Sequence, residues 1–198
     1  MRLWWCPATR AVRVLWMIEE LGIPCERVRI DIRDEAAKAD PAFRRASPMG
    51  KVPAIEEGET RLWDSGAICA WLADRHPEAG LAPAINAPDR GAWLQWLMFN
   101  NSVIEPAMLE KFVPDAPRNP SAFGWGSFDA MIAVLRDGIG QGPWILGKRF
   151  SAADVMLGSA VVAMRRFNIL PAEPVLHAYA DRCLARPAHQ RALAADQA

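Results

Sequence analysis

Cys6 and Thr9 frame a short run, Cys6-Pro7-Ala8-Thr9, that separates an apolar stub from a stretch of helical periodicity. A thiol and a hydroxyl at a strand end, just ahead of a helix N-terminus, stand where main-chain N–H groups and the helix dipole favour negative charge, and that setting promotes a thiolate. The plainer alternatives are a half-buried apolar thiol for Cys6 and a helix cap for Thr9. Asp64-Ser65 opens another helical stretch. Its hydroxyl and N–H groups suit a carboxylate, and either side chain also suits an N-cap worth about 1 kcal/mol. Val52-Pro53 begins a short apolar run, on its own a strand start, and Lys51 precedes it as a cation. Ser151-Ala152-Ala153-Asp154 has the spacing of a capping box, with Asp in the place of Glu or Gln. Its role is structural: a cap plus a buried carboxylate.

Several chemistries are excluded. Tyr179 is the one tyrosine in 198 residues, against nine tryptophans, so no tyrosyl hydroxyl near the N-terminus enters a mechanism. His76, His177 and His189 are far apart and lack carboxylates at ligand spacing, so no metal site is expected. Cys6, Cys25, Cys69 and Cys183 form no CxxC, which disfavours zinc and a disulfide framework and favours a reducing cytoplasm. Lys plus Arg is 23 and Asp plus Glu is 23, leaving no electrostatic footprint for nucleic acid or an anionic membrane. The start MRLWWCPATR lacks the apolar region of a secretory signal. Val155 to Met164, the longest charge-free apolar stretch after Asp154, falls short of the ~20 residues a membrane span needs. A hydrophobic share of 52% with 23% charged residues belongs to an ordinary globular chain.

The elements that must position these residues follow from periodicity. Arg2 to Trp5 reads as a buried strand ended by Pro7. Ala11, Val14, Leu15, Ile18 and Leu21 recur at helical spacing with Thr9 as cap and Gly22 as stop, while Arg10, Arg13, Glu19 and Glu20 fall on other faces. Cys25 to Ile32 alternates as a half-buried strand. A mostly polar loop follows, with a short helix from Pro41 to Arg45. Val52–Ile55 and Thr60–Trp63 flank Glu56-Glu57-Gly58-Glu59 as a hairpin, and Asp64-Ser65 opens a helix running to His76-Pro77. The order βαβ then ββα describes a small mixed sheet with packed helices. Gly80 to Pro88 reads as a linker. Beyond it the pattern is helical: Asp89–Phe112 kinked at Pro106, a loop over Pro114–Pro120, then Ser121–Ile139, a helix from Ser151 to about Phe167, and shorter ones over Val175–Ala185 and Pro187–Ala195.

The segments TRAVRVLWMIEELGIPCERVRID, SPMGKVPAIEEGETRLWDSGAICAWLADRHPEAGLAP, DRGAWLQWLMFNNSVIEPAM and GKRFSAADVMLGSAV, in that order over most of the chain, resemble a cytosolic glutathione S-transferase of bacterial, tyrosine-independent type. KVPAI followed by DSGAI is the specific part. The resemblance implies an α/β plus all-α chain, with a thioredoxin-like glutathione-binding domain over residues 1–78 and an all-helical domain over 88–198 that contributes the electrophile site. It also implies a cytoplasmic homodimer that uses glutathione as substrate and needs no metal.

By the same resemblance, Val52-Pro53 is a cis-proline position whose Val52 main chain pairs with the cysteinyl part of glutathione, as an added strand would. Ser65 and nearby N–H groups hold the γ-glutamyl carboxylate, Asp64 faces the γ-glutamyl ammonium, and Lys51 meets the glycyl carboxylate. The strand-end loop carries the thiol-activating group. Cys6 matches the Ser or Cys before Pro in serine- and cysteine-type members; Thr9 matches the Ser before Arg in bacterial members with an SRAxRVLW run. Trp5, Trp93, Trp96, Met98 and Met108 are the expected wall for an apolar electrophile, although a Trp/Met stripe at helical spacing also builds a core.

A free thiol of pKa ~8.5 is about 3% ionised at pH 7, and lowering that value by about two units gives roughly 75% thiolate. With a Brønsted slope of ~0.4 to 0.5, the weaker nucleophile returns most of that gain, leaving about two- to fourfold. Orientation of the electrophile beside the sulfur must therefore supply most of the acceleration. The expected function is conjugation of glutathione to small hydrophobic electrophiles, a detoxification chemistry. The alternatives are a glutathione-dependent thiol transferase, deglutathionylating reductase or isomerase working through Cys6, and a non-enzymatic binding or regulatory module that keeps the fold.

Overall fold

A computed structural model describes residues 1–113, 115, 119 and 121–197. The chain forms two compact units: Met1–Ala79 together with the residues from Arg186 onward, and Gly80–Ala185. No helix is long and apolar enough to cross a membrane among the described residues.

The first unit is built on strands β1 (Arg2–Trp5), β2 (Glu26–Arg29), β3 (Ala54–Glu57) and β4 (Thr60–Trp63), in sheet order β2-β1-β3-β4. β1 runs parallel to β2 in register Trp5↔Arg29, and antiparallel to β3 in register Leu3↔Ile55. β3 pairs antiparallel with β4. Leu3 and Ile55, on the central strands, are fully buried, whereas β2 is an edge whose Arg27 and Arg29 face solvent, as charged edges that resist further pairing do. The alternation over Cys25–Ile32 yields only four residues of strand. Gly58, at φ 57°, supplies the positive φ that closes the two-residue loop between β3 and β4.

Helix α1 (Ala11–Leu21) ends at Gly22, whose φ of 64° lets its N–H reach the Ile18 carbonyl. Two short helices, α2 (Glu35–Lys38) and α3 (Pro41–Ala46), are capped by Asp34 and Asp40; α2 falls in what reads as loop because a single turn carries no periodic signal. Helix α4 (Ser65–Arg75) packs on α1.

The second unit begins earlier than composition suggests. The proline-rich Gly80–Pro88 segment is folded onto it: the Leu81 carbonyl accepts from Ala152 N (2.9 Å) and Trp93 Nε1 (3.1 Å), and Leu81 and Pro83 are buried. The helices are α5 (Arg90–Phe99), a π-helical turn (Asn100–Ile104), α6 (Glu105–Ala107), α7 (Leu109–Phe112), α8 (Phe128–Ile139), α9 (Ala152–Arg166) and α10 (Pro174–Leu184). The expected kink is a widening ahead of Pro106, where the Glu105 N–H bonds to Asn100 O; proline has no N–H and its ring clashes with the carbonyl of Ser102. The helix read as Ser121–Ile139 starts only at Phe128: Gly126, at φ 66°, breaks it, and Ser127 Oγ accepts from Ala130 N at 3.2 Å as the cap. Pro114 and Pro120, the bounds of the expected loop, lie outside the described residues.

Helix α9 is buried along most of its length and packs against α5 and α10. Asp154 reaches back from its first turn to Ser151 N–H at 2.9 Å, as the capping-box spacing predicts. Helix α11 (Pro187–Gln197) belongs to the first unit, whereas the sequence reading assigns residues 88–198 to the helical domain. The cause is a set of side chains on α1. Arg186 forks onto Glu20 at 2.6 and 2.7 Å, Arg191 meets Glu19 at 2.7 Å, and the His189 ring stands edge-on to Trp16 at 4.4 Å.

Candidate functional site

The parallel pairing of β1 with β2 brings both strands' C-terminal ends to one edge, so Asp31–Arg33 arrives beside Cys6. The Ile30 N–H donates to the Trp5 carbonyl at 2.9 Å, fixing that arrival. Arg33 Nη1 stands 3.4 Å from Cys6 Sγ and 3.8 Å from Asp31 Oδ1. Cys6 is 2% exposed, while the Arg33 side chain is 66% exposed, a guanidinium laid over a shielded sulfur.

Thr9 is placed differently. Its hydroxyl donates to the Cys6 carbonyl at 2.6 Å and accepts from Ala11 N at 3.2 Å. The hydroxyl proton is thus committed to the main chain and the oxygen accepts the first amide of α1, while the N-cap position is held by Arg10 and not, as expected, by Thr9. Between Cys6 and Thr9, Ala8 adopts φ 56° and donates its N–H to Asp196 Oδ2 at 3.0 Å. Burial pushes the Cys25 thiol up and drives Cys69 up to about 12.

On the other side of β1, the Val52–Pro53 peptide bond is cis. The turn before it is held by the buried Ser47, whose hydroxyl donates to Lys51 O (2.7 Å) and accepts from Lys51 N (3.0 Å), leaving the Lys51 side chain in solvent. Asp64, at φ 78°, caps α4: Oδ1 accepts from Gly66 N at 2.9 Å and Ala67 N at 3.3 Å. Ser65 is buried, and its Oγ accepts from Arg13 Nη1 at 3.2 Å.

Arg13 sits among the outward residues of α1 in the sequence, yet it is buried at 4% exposure. The available signal was the width of the apolar stripe. Trp16 and Met17 join Val14, Leu15 and Ile18, too many faces for a helix lying on a surface. Arg33 and Asp196 gave no such signal, because register and the return of α11 bring them in.

Of the five residues expected to wall an electrophile, Trp5 belongs to the first unit and Trp93, Trp96, Met98 and Met108 to the second. Trp5 is buried within β1 of the first unit. Trp93 has no exposed surface and its indole N–H is donated to Leu81, so it is core of the helical unit, as is the buried Met108. Trp96 is half-buried, edge-on to Phe99 at 5.2 Å, with its ring over Gly138, and Met98 is 46% exposed. Trp93 and Leu97 form the buried stripe of α5. Among the described residues, no three His, Cys, Asp or Glu side chains gather to hold a metal.

This sheet, with its cis-proline turn and capped α4, and the separate helical unit define a class that comparison also finds. The family model of the glutathione S-transferase N-terminal domain matches residues 5–75, and that of the C-terminal domain matches residues 54–182. The chain belongs to the glutathione S-transferase family. It is 31% identical to the maleylacetoacetate isomerase of Pseudomonas aeruginosa, over 96% of this chain and 93% of that protein. It is 28% identical to the disulfide-bond oxidoreductase YfcG of Escherichia coli, with the same coverage of 96% and 93%. Among solved structures, a sphingomonad glutathione S-transferase complexed with glutathione superposes with a TM-score of 0.81 at 29% identity, over 100% of this chain and 99% of that one.

Proposed function

We propose that the protein binds glutathione on its first unit and uses Cys6 for glutathione-dependent thiol–disulfide exchange. One observation carries the choice of Cys6 over Thr9: the Thr9 hydroxyl proton is held by the Cys6 carbonyl, while the Cys6 sulfur lies against the Arg33 guanidinium. In the proposed binding mode the Val52 main chain pairs with the cysteinyl residue. Lys51 meets the glycyl carboxylate, Ser65 backed by Arg13 meets the γ-glutamyl carboxylate, and Asp64 faces the γ-glutamyl ammonium.

The Cys6 thiolate attacks the glutathionyl sulfur of a mixed disulfide, forming Cys6–S–S–glutathione and expelling the other thiolate, which takes up a proton. The thiolate of a second glutathione attacks that sulfur, forming oxidised glutathione and restoring the Cys6 thiolate. The net reaction converts one mixed disulfide and one glutathione into a free thiol and oxidised glutathione.

The 2% exposure of Cys6 favours a second reading, in which its S–H only hydrogen-bonds the bound glutathione thiolate and the reaction is conjugation to small hydrophobic electrophiles. Rates with a small mixed disulfide and with an aryl halide, each with glutathione, separate the two. Thiol exchange is expected to fall about a hundredfold or more in Cys6→Ser, the scale of losing a nucleophile; an unchanged exchange rate with conjugation lost gives the assignment to the second reading. Isothermal titration with glutathione tests both against a non-catalytic module, for which no heat at millimolar ligand is expected. A cytoplasmic homodimer completes the proposal, and sedimentation at micromolar concentration reads the dimer.

A further inference from the structure

The loop that carries Cys6 and Thr9 is fastened by a residue 188 positions away in sequence. Ala8 adopts φ 56°, in the left-handed region that a Cβ disfavours. Its N–H is donated to Asp196 Oδ2 at 3.0 Å, a charge-assisted bond. Asp196 lies in the last turn of α11, the end of a helix where a negative charge is disfavoured. The helix is in turn anchored to α1 by the Arg186–Glu20 fork, by Arg191 on Glu19 and by His189 on Trp16. The carboxylate is therefore presented from a fixed support. On either side of Ala8, the Thr9 hydroxyl grips the Cys6 carbonyl and Arg33 covers the Cys6 sulfur.

We propose that Asp196 is a positioning residue of this loop: by holding Ala8 in the left-handed conformation it fixes where the Cys6 sulfur stands and how far it is shielded. This deepens the reading of Cys6 as the reacting thiol and rests on it.

The test is alkylation of Cys6 by iodoacetamide at one fixed pH, followed on the Cys6 peptide, in the full-length protein without glutathione. Asp196→Ala is expected to alkylate about three- to tenfold faster, because losing the bond raises the population of the opened loop. Asp196→Asn retains an oxygen that accepts from Ala8 and is expected within about twofold of the wild type. Arg191→Ala weakens only the anchoring of α11; it is expected to lower Tm by about 1–3 °C and leave the alkylation rate in place. Equal rates in Asp196→Ala and the wild type overturn the proposal. Should Asp196→Ala not fold, hydrogen exchange in the wild type decides: a protected Ala8 amide is expected, and exchange at the unfolded rate overturns the assignment. No glutathione enters these assays, so failure to bind it overturns the proposed function alone, and an unmoved alkylation rate overturns the role of Asp196 alone.

Discussion

Removal of the Asp154 carboxylate is a severe change for the helical unit. The side chain is fully buried and satisfies donors from separate parts of the chain: Ile145 N at 2.8 Å and Tyr179 Oη at 2.9 Å on Oδ1, Ser151 N at 2.9 Å and Ser151 Oγ at 3.2 Å on Oδ2. Asp154→Ala strands the Ile145 and Ser151 amides and the fully buried Tyr179 hydroxyl. At ~1–3 kcal/mol for each stranded donor, reduced by relaxation and entering water, the loss is about 3–5 kcal/mol. For a chain of this size that is roughly 6–20 °C in Tm. Tyr179→Phe removes one of the donors and leaves the carboxylate bonded to the rest, so about 1–1.5 kcal/mol is expected. The pH dependence has a definite sign. Burial pushes the Asp154 carboxyl above the ordinary carboxylate range, against the opposing hydrogen bonds from Ile145, Tyr179 and Ser151. The native state then binds the proton more readily than the unfolded chain. The Asp154 contribution is complete below the unfolded carboxyl value of ~3.9 and declines as pH rises through the native value. Asp154→Asn removes that slope. Thermal melts of the variants over pH 3 to 8 are the assay. Equal losses below about 1 kcal/mol for Asp154→Ala and Tyr179→Phe would refute the claim that the carboxylate ties these elements together.

Further outcomes follow from the first unit. Thr9→Ala is expected to lower stability by about 1 kcal/mol, the worth of its hydrogen bonds to Cys6 and Ala11, with less than about a tenfold loss of glutathione-dependent rate; a hundredfold loss with glutathione binding intact returns the catalytic role to the hydroxyl. Burial lowers the proton affinity of His189, opposed by Glu20. Its contribution is present above the ordinary histidine value of ~6.5 and is lost as pH falls through the native value, so amide protection of α11 is expected to weaken in acid.

Where a local signal existed, the sequence carried the fold. Gly22 stopping α1, Gly58 in the hairpin and Ser151 with Asp154 opening α9 are each visible in a few residues, and the structure has each of them. The failures have physical causes. Gly126 cut short a helix whose apolar content continues, and Leu81 and Pro83 were folded onto the helical unit where proline content suggests a free linker. Around the candidate site the sequence yields Cys6, Thr9, Val52, Asp64 and Ser65. It does not choose between Cys6 and Thr9, because the deciding facts are a carbonyl 2.6 Å from one side chain and a guanidinium 3.4 Å from the other. Those distances depend on the β1–β2 register and on main-chain geometry that composition does not encode. Trp93 shows the alternative reading of such a stripe: its helical spacing is a packing signal, and the side chain is fully buried.

The most direct test of a glutathione-handling Cys6 is mass spectrometry of the protein after exposure to oxidised glutathione, with and without subsequent reduced glutathione. The account predicts a single glutathionyl adduct on the Cys6 peptide that reduced glutathione removes, and none in Cys6→Ser. An unmodified Cys6 in a protein that still turns over a mixed disulfide would contradict it.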